Sequence, residues 1–253
     1  MVDYSGLENR RAARHRGFES LSFRCKRSPH RLLFFVRETK NDPRMKIFAV
    51  GMNYAEHNKE LGETLYHRED ACAPVIFTKA DSALLSGGKP FFIPDFTERC
   101  EYETELVVRI CRLGRSISPR FAHRYYDAVT VGIDFTARDL QQQLRAQGHP
   151  WELCKGFDGS AVVGRFLSLA DVGRDVQDLH FHLYINGQTV QTGHTAEMLH
   201  AVDELVSYIS RFFTLKTGDL IYTGTPAGVG PVHINDHIEG WLEDEKVLEF
   251  NVK

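Results

Sequence analysis

From Met45 onward the chain breaks into short apolar or alternating runs, the texture of β structure. Ile47–Val50, Val75–Thr78, Tyr102–Ile110 and Ala128–Ile133 each read as a strand. In Tyr102–Ile110 the residues Tyr102, Thr104, Leu106, Val108 and Ile110 alternate with Glu103, Glu105, Val107 and Arg109. Leu179–Ile185 and Gln188–Thr192 flank Asn186-Gly187, a pair that accepts the positive φ angles of a type I′ turn, and read as a hairpin. Pro119, after Ser118, starts a helix running to about Tyr126. Thr136 with Asp139 three residues on resembles a capping box and opens a second helix, which Gly148 and Pro150 close. A third spans Val202–Phe213, with Val202, Leu205, Val206, Ile209 and Phe213 on one face. The C-terminal stretch from Leu215 has the Gly and Pro punctuation of further strands. The pattern predicts one mainly β domain of the α+β type with a few short helices.

Residues 1–44 differ in texture. They carry eleven Lys/Arg against five Asp/Glu, a net +6, which leaves 20 basic and 29 acidic residues for 45–253, a net −9. An acidic body predicts no nucleic-acid partner. The basic segment reads as a tail, a targeting segment or an upstream extension; Glu8, Glu19, Glu38 and Asp42 argue against a transit peptide. Met45 opens MKIFAV, a fold-like start, so the expected organisation is an extension over 1–44 outside a catalytic domain over 45–253. No apolar run reaches the ~18–20 residues that span a bilayer, so no membrane partner is expected. Five scattered cysteines without a C-x-x-C pair favour reduced thiols and a cytoplasmic compartment over a disulfide framework or a thiolate zinc site.

Three carboxylates carry the most chemical information. Period-two alternation puts Glu103 and Glu105 on one strand face, with Cα atoms roughly 6.6 Å apart. Asp134 ends the run AVTVGI, which lies beside the first strand if the two pair. Oxygen ligands alone suit a hard cation, Mg²⁺ or Mn²⁺ before Zn²⁺. The competing reading makes the glutamates a solvated strand face and Asp134 a turn residue. His57 and Glu60 stand at i, i+3 spacing, close enough on a helical turn for carboxylate and imidazole to pair as a general base, or to form an exposed surface pair. Lys155 is a candidate cation for a substrate carboxylate or an enolate. TGTPAGVGP at 223–231 offers hydroxyls and a Gly-rich turn whose N–H groups suit an anion, although a tight β connection reads the same way.

Taken in order, GMNYAEHNKE, PVIFTKADSALL, YETELVVRI, VGIDFTARDLQ, CKGFDG and YTGTPAGVGP resemble the fumarylacetoacetate hydrolase family, in particular its small single-domain members acting on acylpyruvates and oxaloacetate. The resemblance covers about Lys46 to Lys253. It implies a mixed β roll (a partly open barrel), a homodimer, and one divalent cation, Mg²⁺ or Mn²⁺, on Glu103, Glu105 and Asp134. It implies a mobile lid bearing His57 and Glu60, an active-site Lys155, and a substrate pocket lined by Lys79, Arg138, Gln141 and Thr225. Two departures affect substrate choice. Met52 stands where several relatives carry a basic residue, and GFDGSAVVG lacks a proline-containing stretch common there.

These residues predict a metal-dependent enzyme of small β-keto acids, an acylpyruvate hydrolase or oxaloacetate decarboxylase. A cation at the triad acts as a Lewis acid, Lys155 adds positive charge, and His57 oriented by Glu60 activates water for hydrolysis. An isomerase of 2-hydroxyhepta-2,4-diene-1,7-dioate type or a fumarylpyruvate hydrolase of aromatic catabolism is the alternative within the family. A non-catalytic metabolite-binding protein is a rival from another class. So is a non-haem iron oxygenase using His180 and His182, which otherwise form an exposed hairpin face. A chain beginning at Met45 is expected to fold and keep full activity; a collapse in solubility or turnover on removing residues 1–44 contradicts that boundary.

Overall fold

A computed structural model describes residues 45–62 and 73–253. An eight-stranded sheet runs in the order Val75–Lys79, Ile47–Gly51, Leu220–Tyr222, Thr104–Ile110, Tyr126–Asp134, Ala161–Val163 and Leu84–Leu85, with Leu167–Ser168 also beside Tyr126–Asp134. A four-stranded sheet orders Gln188–His194, His180–Ile185, His237–Leu242 and Glu245–Asn251. A small third sheet joins Gly230–Pro231, Cys100–Tyr102 and Thr136–Ala137. The fold is mixed, mainly strands, with a curled half-barrel sheet and few helices. Among the described residues no helix is long and apolar enough to cross a membrane.

The large sheet is covered on both faces. Leu106, Val108, Ile110, Val129 and Val131 share one apolar cluster with Val202, Leu205, Val206 and Ile209 of the helix Val202–Phe212. Val107 belongs to a second cluster with Ile47, Ala49, Leu220 and Tyr222. The four-stranded sheet meets the end of Tyr126–Asp134, where Ile133 and Val162 pack with Leu183, Ile238, Leu248 and Phe250. A strand buried on both faces has no solvated side for its polar residues. The hairpin forms as expected, with Asn186 at φ 52° and Gly187 at φ 78°.

Three expectations need correction. Tyr102–Ile110 is not one strand: Cys100–Tyr102 pairs with Thr136–Ala137, and a separate strand Thr104–Ile110 pairs with Tyr126–Asp134, so the chain changes sheets at Glu103. The segment after Pro119 is a 3₁₀ turn ending at Arg124 rather than a helix to Tyr126. The second helix begins at Arg138 without a capping box, because Thr136 is a strand residue whose hydroxyl donates to Asp134 O. Asp139 instead accepts from Thr97 Oγ1 and the Glu98 and Leu140 N–H groups. Gly148, at φ 67°, does close that helix.

Gly132 faces Glu105 across the ladder. A Cβ there would lie 2.6 Å from Val107 Cγ2 and 2.7 Å from Val162 O, so only glycine fits. Gly132→Ala is expected to destabilise the protein by about 1–3 kcal/mol through overpacking. A urea midpoint equal to wild type contradicts this packing.

Candidate metal centre and active site

The carboxylates are brought together by the sheet junction. Glu105 is the second residue of Thr104–Ile110, and Asp134 ends its antiparallel neighbour. Two residues apart on the pleat, Gly132 and Asp134 point to the same face, the one shared by Glu105 and Val107. Glu103 sits in the break between strands, where its carbonyl accepts from Asp134 N at 2.8 Å. One oxygen from each of the three carboxylates lies within 4.8 Å of the others. Glu103, Glu105 and Asp134 are 6%, 1% and 0% exposed, which rules out a solvated strand face.

Buried like charges demand compensation. Lys155 Nζ bridges Glu103 Oε2 at 2.5 Å and Asp134 Oδ2 at 3.1 Å. Lys79 Nζ lies 2.6 Å from Asp134 Oδ1. Arg138 grips Glu103 Oε1 with one nitrogen and Glu101 Oε2 with another, both at 2.6 Å, and donates to Gln141 Oε1 with the third. Burial works to raise the pKa of Glu103, but Lys155, Arg138 and His57 prevail and hold it below the usual carboxylate range. Burial also works against the Lys155 ammonium, yet Asp134 and Glu103 keep its pKa raised.

Glu105 is the exception. Its hydrogen bond comes from Gly224 N, 2.6 Å from Oε2, and among the described residues it makes no ion pair. Burial and the charges of Asp134 and Glu103 push its pKa well above the ordinary value. Asp134 Oδ1 makes no hydrogen bond, despite its closeness to Lys79. Three hard oxygen donors, one of them short of positive charge and another holding a spare lone pair, fit a divalent cation of the Mg²⁺/Mn²⁺ type.

One pocket gathers Val50, Met52, His57, Leu61, Phe77, Glu103, Asp134, Arg138, Gln141, Arg145, Trp151, Lys155 and Thr225. The helix Ala55–Glu60 holds His57, whose Nδ1 lies 3.4 Å from Glu60 Oε2. His57 is 4% exposed and so is no surface residue. Burial lowers its pKa; Glu103 and Glu60 oppose the shift without cancelling it. The Gly-rich loop does present N–H groups to anions, but to the protein's own: Gly224 N to Glu105 and, at 3.1 Å, Gly228 N to Glu60. Thr225 lines the pocket while its hydroxyl donates to Thr104 O. Lys79 stands behind it, held by Lys155 O, Ser160 Oγ and Asp134. His180 and His182 lie on the four-stranded sheet and do not line this pocket.

Sequence reading missed three residues that organise the site. Glu101 is buried and anchors Arg138, with Arg99 on its other oxygen. Its signal was the continuation of the period-two glutamates back to 101. Asn53 ties the helix entry to the far strands, donating to Thr223 O and His200 O and accepting from His200 N. Gln191 joins Thr104 N to Thr225 Oγ1. The last two left no local signal, because their partners are distant in the chain.

The fold is of the fumarylacetoacetate hydrolase type, its buried triad could hold a divalent cation, and the sequence profile described as fumarylacetoacetate (FAA) hydrolase C-terminal matches residues 46–253. The chain belongs to that family. It is 36% identical over 207 residues to the mouse (Mus musculus) mitochondrial oxaloacetate tautomerase FAHD1, covering 82% of this chain and 91% of that one. It is 37% identical over 196 residues to the oxaloacetate tautomerase YcgM of Escherichia coli, covering 78% and 87%. The crystal structure of Pseudomonas aeruginosa fumarylpyruvate hydrolase with Mn²⁺ and pyruvate aligns with a TM-score of 0.75 at 34% identity, covering 82% and 88%. The named relatives are enzymes.

Glu105→Gln keeps the shape of the side chain and removes the unpaired charge. It is expected to weaken Mg²⁺ and Mn²⁺ binding by about tenfold or more. The melting temperature of the metal-free protein should rise, by roughly 2–4 °C for each kcal/mol of repulsion relieved. Unchanged cation affinity in calorimetry contradicts the assignment of Glu105 as a ligand.

Proposed function

We propose that this chain is a divalent-cation-dependent enzyme of small 2-oxo acids, and that its principal reaction is proton transfer between the keto and enol forms of an oxaloacetate-like β-keto dicarboxylate. The observation that carries the reading is a buried imidazole, its pKa lowered by burial, in one pocket with Glu103 and Asp134 of the acidic triad and with Arg138 and Lys155. Kinship with two oxaloacetate tautomerases supports the choice of reaction. The reading assigns catalysis to residues 45–253.

A cation on Glu103, Glu105 and Asp134, Mg²⁺ or Mn²⁺, supplies Lewis acidity toward the substrate's 2-oxo acid group when bound. Arg138 and Gln141 line the pocket where a distal carboxylate is to be bound, and Val50, Phe77, Leu61 and Trp151 exclude water around the carbon chain. His57 acts through Nε2, the nitrogen turned away from Glu60, and accepts the proton leaving C3. Glu60 holds Nδ1–H and thereby fixes the tautomer that leaves Nε2 free. Lys155 stays protonated and sets its charge against the oxygen that becomes negative as the C3–H bond breaks. The proton then goes to that oxygen, and the enol is released.

A hydrolytic reading uses the same groups, with His57 Nε2 taking a proton from water that attacks the distal carbonyl of an acylpyruvate. The fumarylpyruvate hydrolase likeness favours it as the second reading. Decarboxylation of oxaloacetate needs no base at His57. One variant therefore separates decarboxylation from the other two reactions.

His57→Ala is expected to lower tautomerisation, followed as enol absorbance, by about 10²–10⁴-fold, while decarboxylation falls much less. Acylpyruvate hydrolysis, if the wild type performs it, should fall with tautomerisation. Equal loss of all three activities would place His57 in binding or closure instead.

The pH profile gives an independent check. A general base must be unprotonated, so kcat/KM falls as pH drops through the imidazole pKa. Burial places that acid limb below the ordinary 6.5. Glu60 raises the pKa, so Glu60→Ala should move the limb to still lower pH and cut the rate less than His57→Ala. An acid limb above 6.5, or one that Glu60→Ala moves upward, contradicts the assignment.

A further inference from the structure

The outer face of the hairpin carries a second cluster of donor atoms. His180 opens one strand, His194 closes the other, and the two are direct cross-strand partners. Their rings stack with centroids 4.0 Å apart and planes 14° off parallel. Asp178 precedes His180 by two residues, and its Oδ1 lies 2.8 Å from His194 Nε2. One ligand atom from each of the three lies within 4.8 Å of the others. None of them lines the pocket already described.

The backbone beneath the cluster is fixed. Leu179 and Phe181, which alternate with His180, are fully buried. Leu179 N donates to Thr195 Oγ1 and Thr195 N to Leu179 O, each at 2.9 Å. Gly193, beside His194, lies against the Phe181 ring so closely that a Cβ there would sit 2.2 Å from it. Only side-chain rotation separates the three groups from a common centre. Ligand atoms 2.8 Å apart subtend roughly 85° at a metal about 2.1 Å from each, an ordinary angle for adjacent ligands.

The donor set differs in kind from the buried triad. Two imidazoles and one carboxylate suit borderline ions such as Zn²⁺ and Ni²⁺, whereas Mg²⁺ prefers oxygen alone. Arg174, whose charge reaches Asp178, is held beside the cluster with its Nε 3.6 Å from Glu243 Oε2, and Glu243 Oε1 accepts from His180 N. The comparable group His237, Glu239 and Glu249 is different, since Lys246 Nζ already stands 2.9 Å and 2.8 Å from its two glutamates. We propose that Asp178, His180 and His194 form a second metal site, selective for Zn²⁺-class transition ions, that cross-links the two strands of the hairpin and is independent of the catalytic centre.

The test is calorimetric titration of the full chain with Ni²⁺ or Zn²⁺ at neutral pH, with saturating Mg²⁺ present to occupy the triad. Wild type should bind one transition ion in the micromolar range, and His180→Ala and His194→Ala should each weaken that event by about tenfold or more. Glu105→Gln should leave it intact, which separates this site from the buried one. Mg²⁺-supported turnover should be unchanged in both histidine variants. Without any substitution, substoichiometric Ni²⁺ should broaden the imidazole proton resonances of His180 and His194 before those of other histidines. Undiminished binding in the double histidine variant, no binding by wild type, or first broadening elsewhere overturns the proposal.

Discussion

The structure turns on the burial of three carboxylates of like charge in one place. Left alone, Glu103, Glu105 and Asp134 would protonate or pull the sheet junction apart. Instead Lys155 bridges Glu103 and Asp134, Lys79 backs Asp134 from the other side, and Arg138 clamps Glu103 against Glu101. That arrangement leaves Glu105 without an ion pair among the described residues, so the cluster remains short of positive charge where all three carboxylates converge. A divalent cation would supply the missing charge.

The rest of the fold serves this point. Both faces of the large sheet are filled, one by the helix Val202–Phe212, so the glutamates have no water to face. The chain passes from the small sheet to the large one at Glu103, which places a carboxylate at the seam. Gly132, opposite Glu105, lets Val107, Val162 and Tyr222 pack where any Cβ would clash, and the loop after Tyr222 supplies the N–H of Gly224. Around the opening Met52 is held at φ 64°, a left-handed conformation for a residue with a side chain, and its carbonyl accepts from Asn58 Nδ2 at 3.1 Å. Strain beside a pocket is what a segment fixed for function looks like.

Much of this was legible in the sequence, for physical reasons. The carboxylates, the His57/Glu60 spacing, the Asn-Gly turn and the helix after Ala201 are local features, and local features survive folding. The break at Glu103 was not legible, because it depends on Cys100–Tyr102 choosing Thr136–Ala137 as a partner while Thr104–Ile110 chooses Tyr126–Asp134. Burial of the E-x-E face was equally hidden, since what covers it comes from distant segments. Thr136 and Asp139 mimicked a capping box; sheet pairing claimed Thr136, and Asp139 turned to the Thr97–Glu98 turn. The Gly-rich loop read equally as an anion holder or a tight β connection; its N–H groups of Gly224 and Gly228 donate to Glu105 and Glu60. Residues 1–44 lie outside the described residues, as do Cys25 and Cys72.

Anomalous X-ray scattering from crystals grown with Mn²⁺ addresses the central claim without relying on a variant or an assay. The account predicts a strong peak within coordinating distance of carboxylate oxygens from Glu103, Glu105 and Asp134. A map with no peak there, and Lys155 still bridging Glu103 and Asp134 at saturating Mn²⁺, would contradict it.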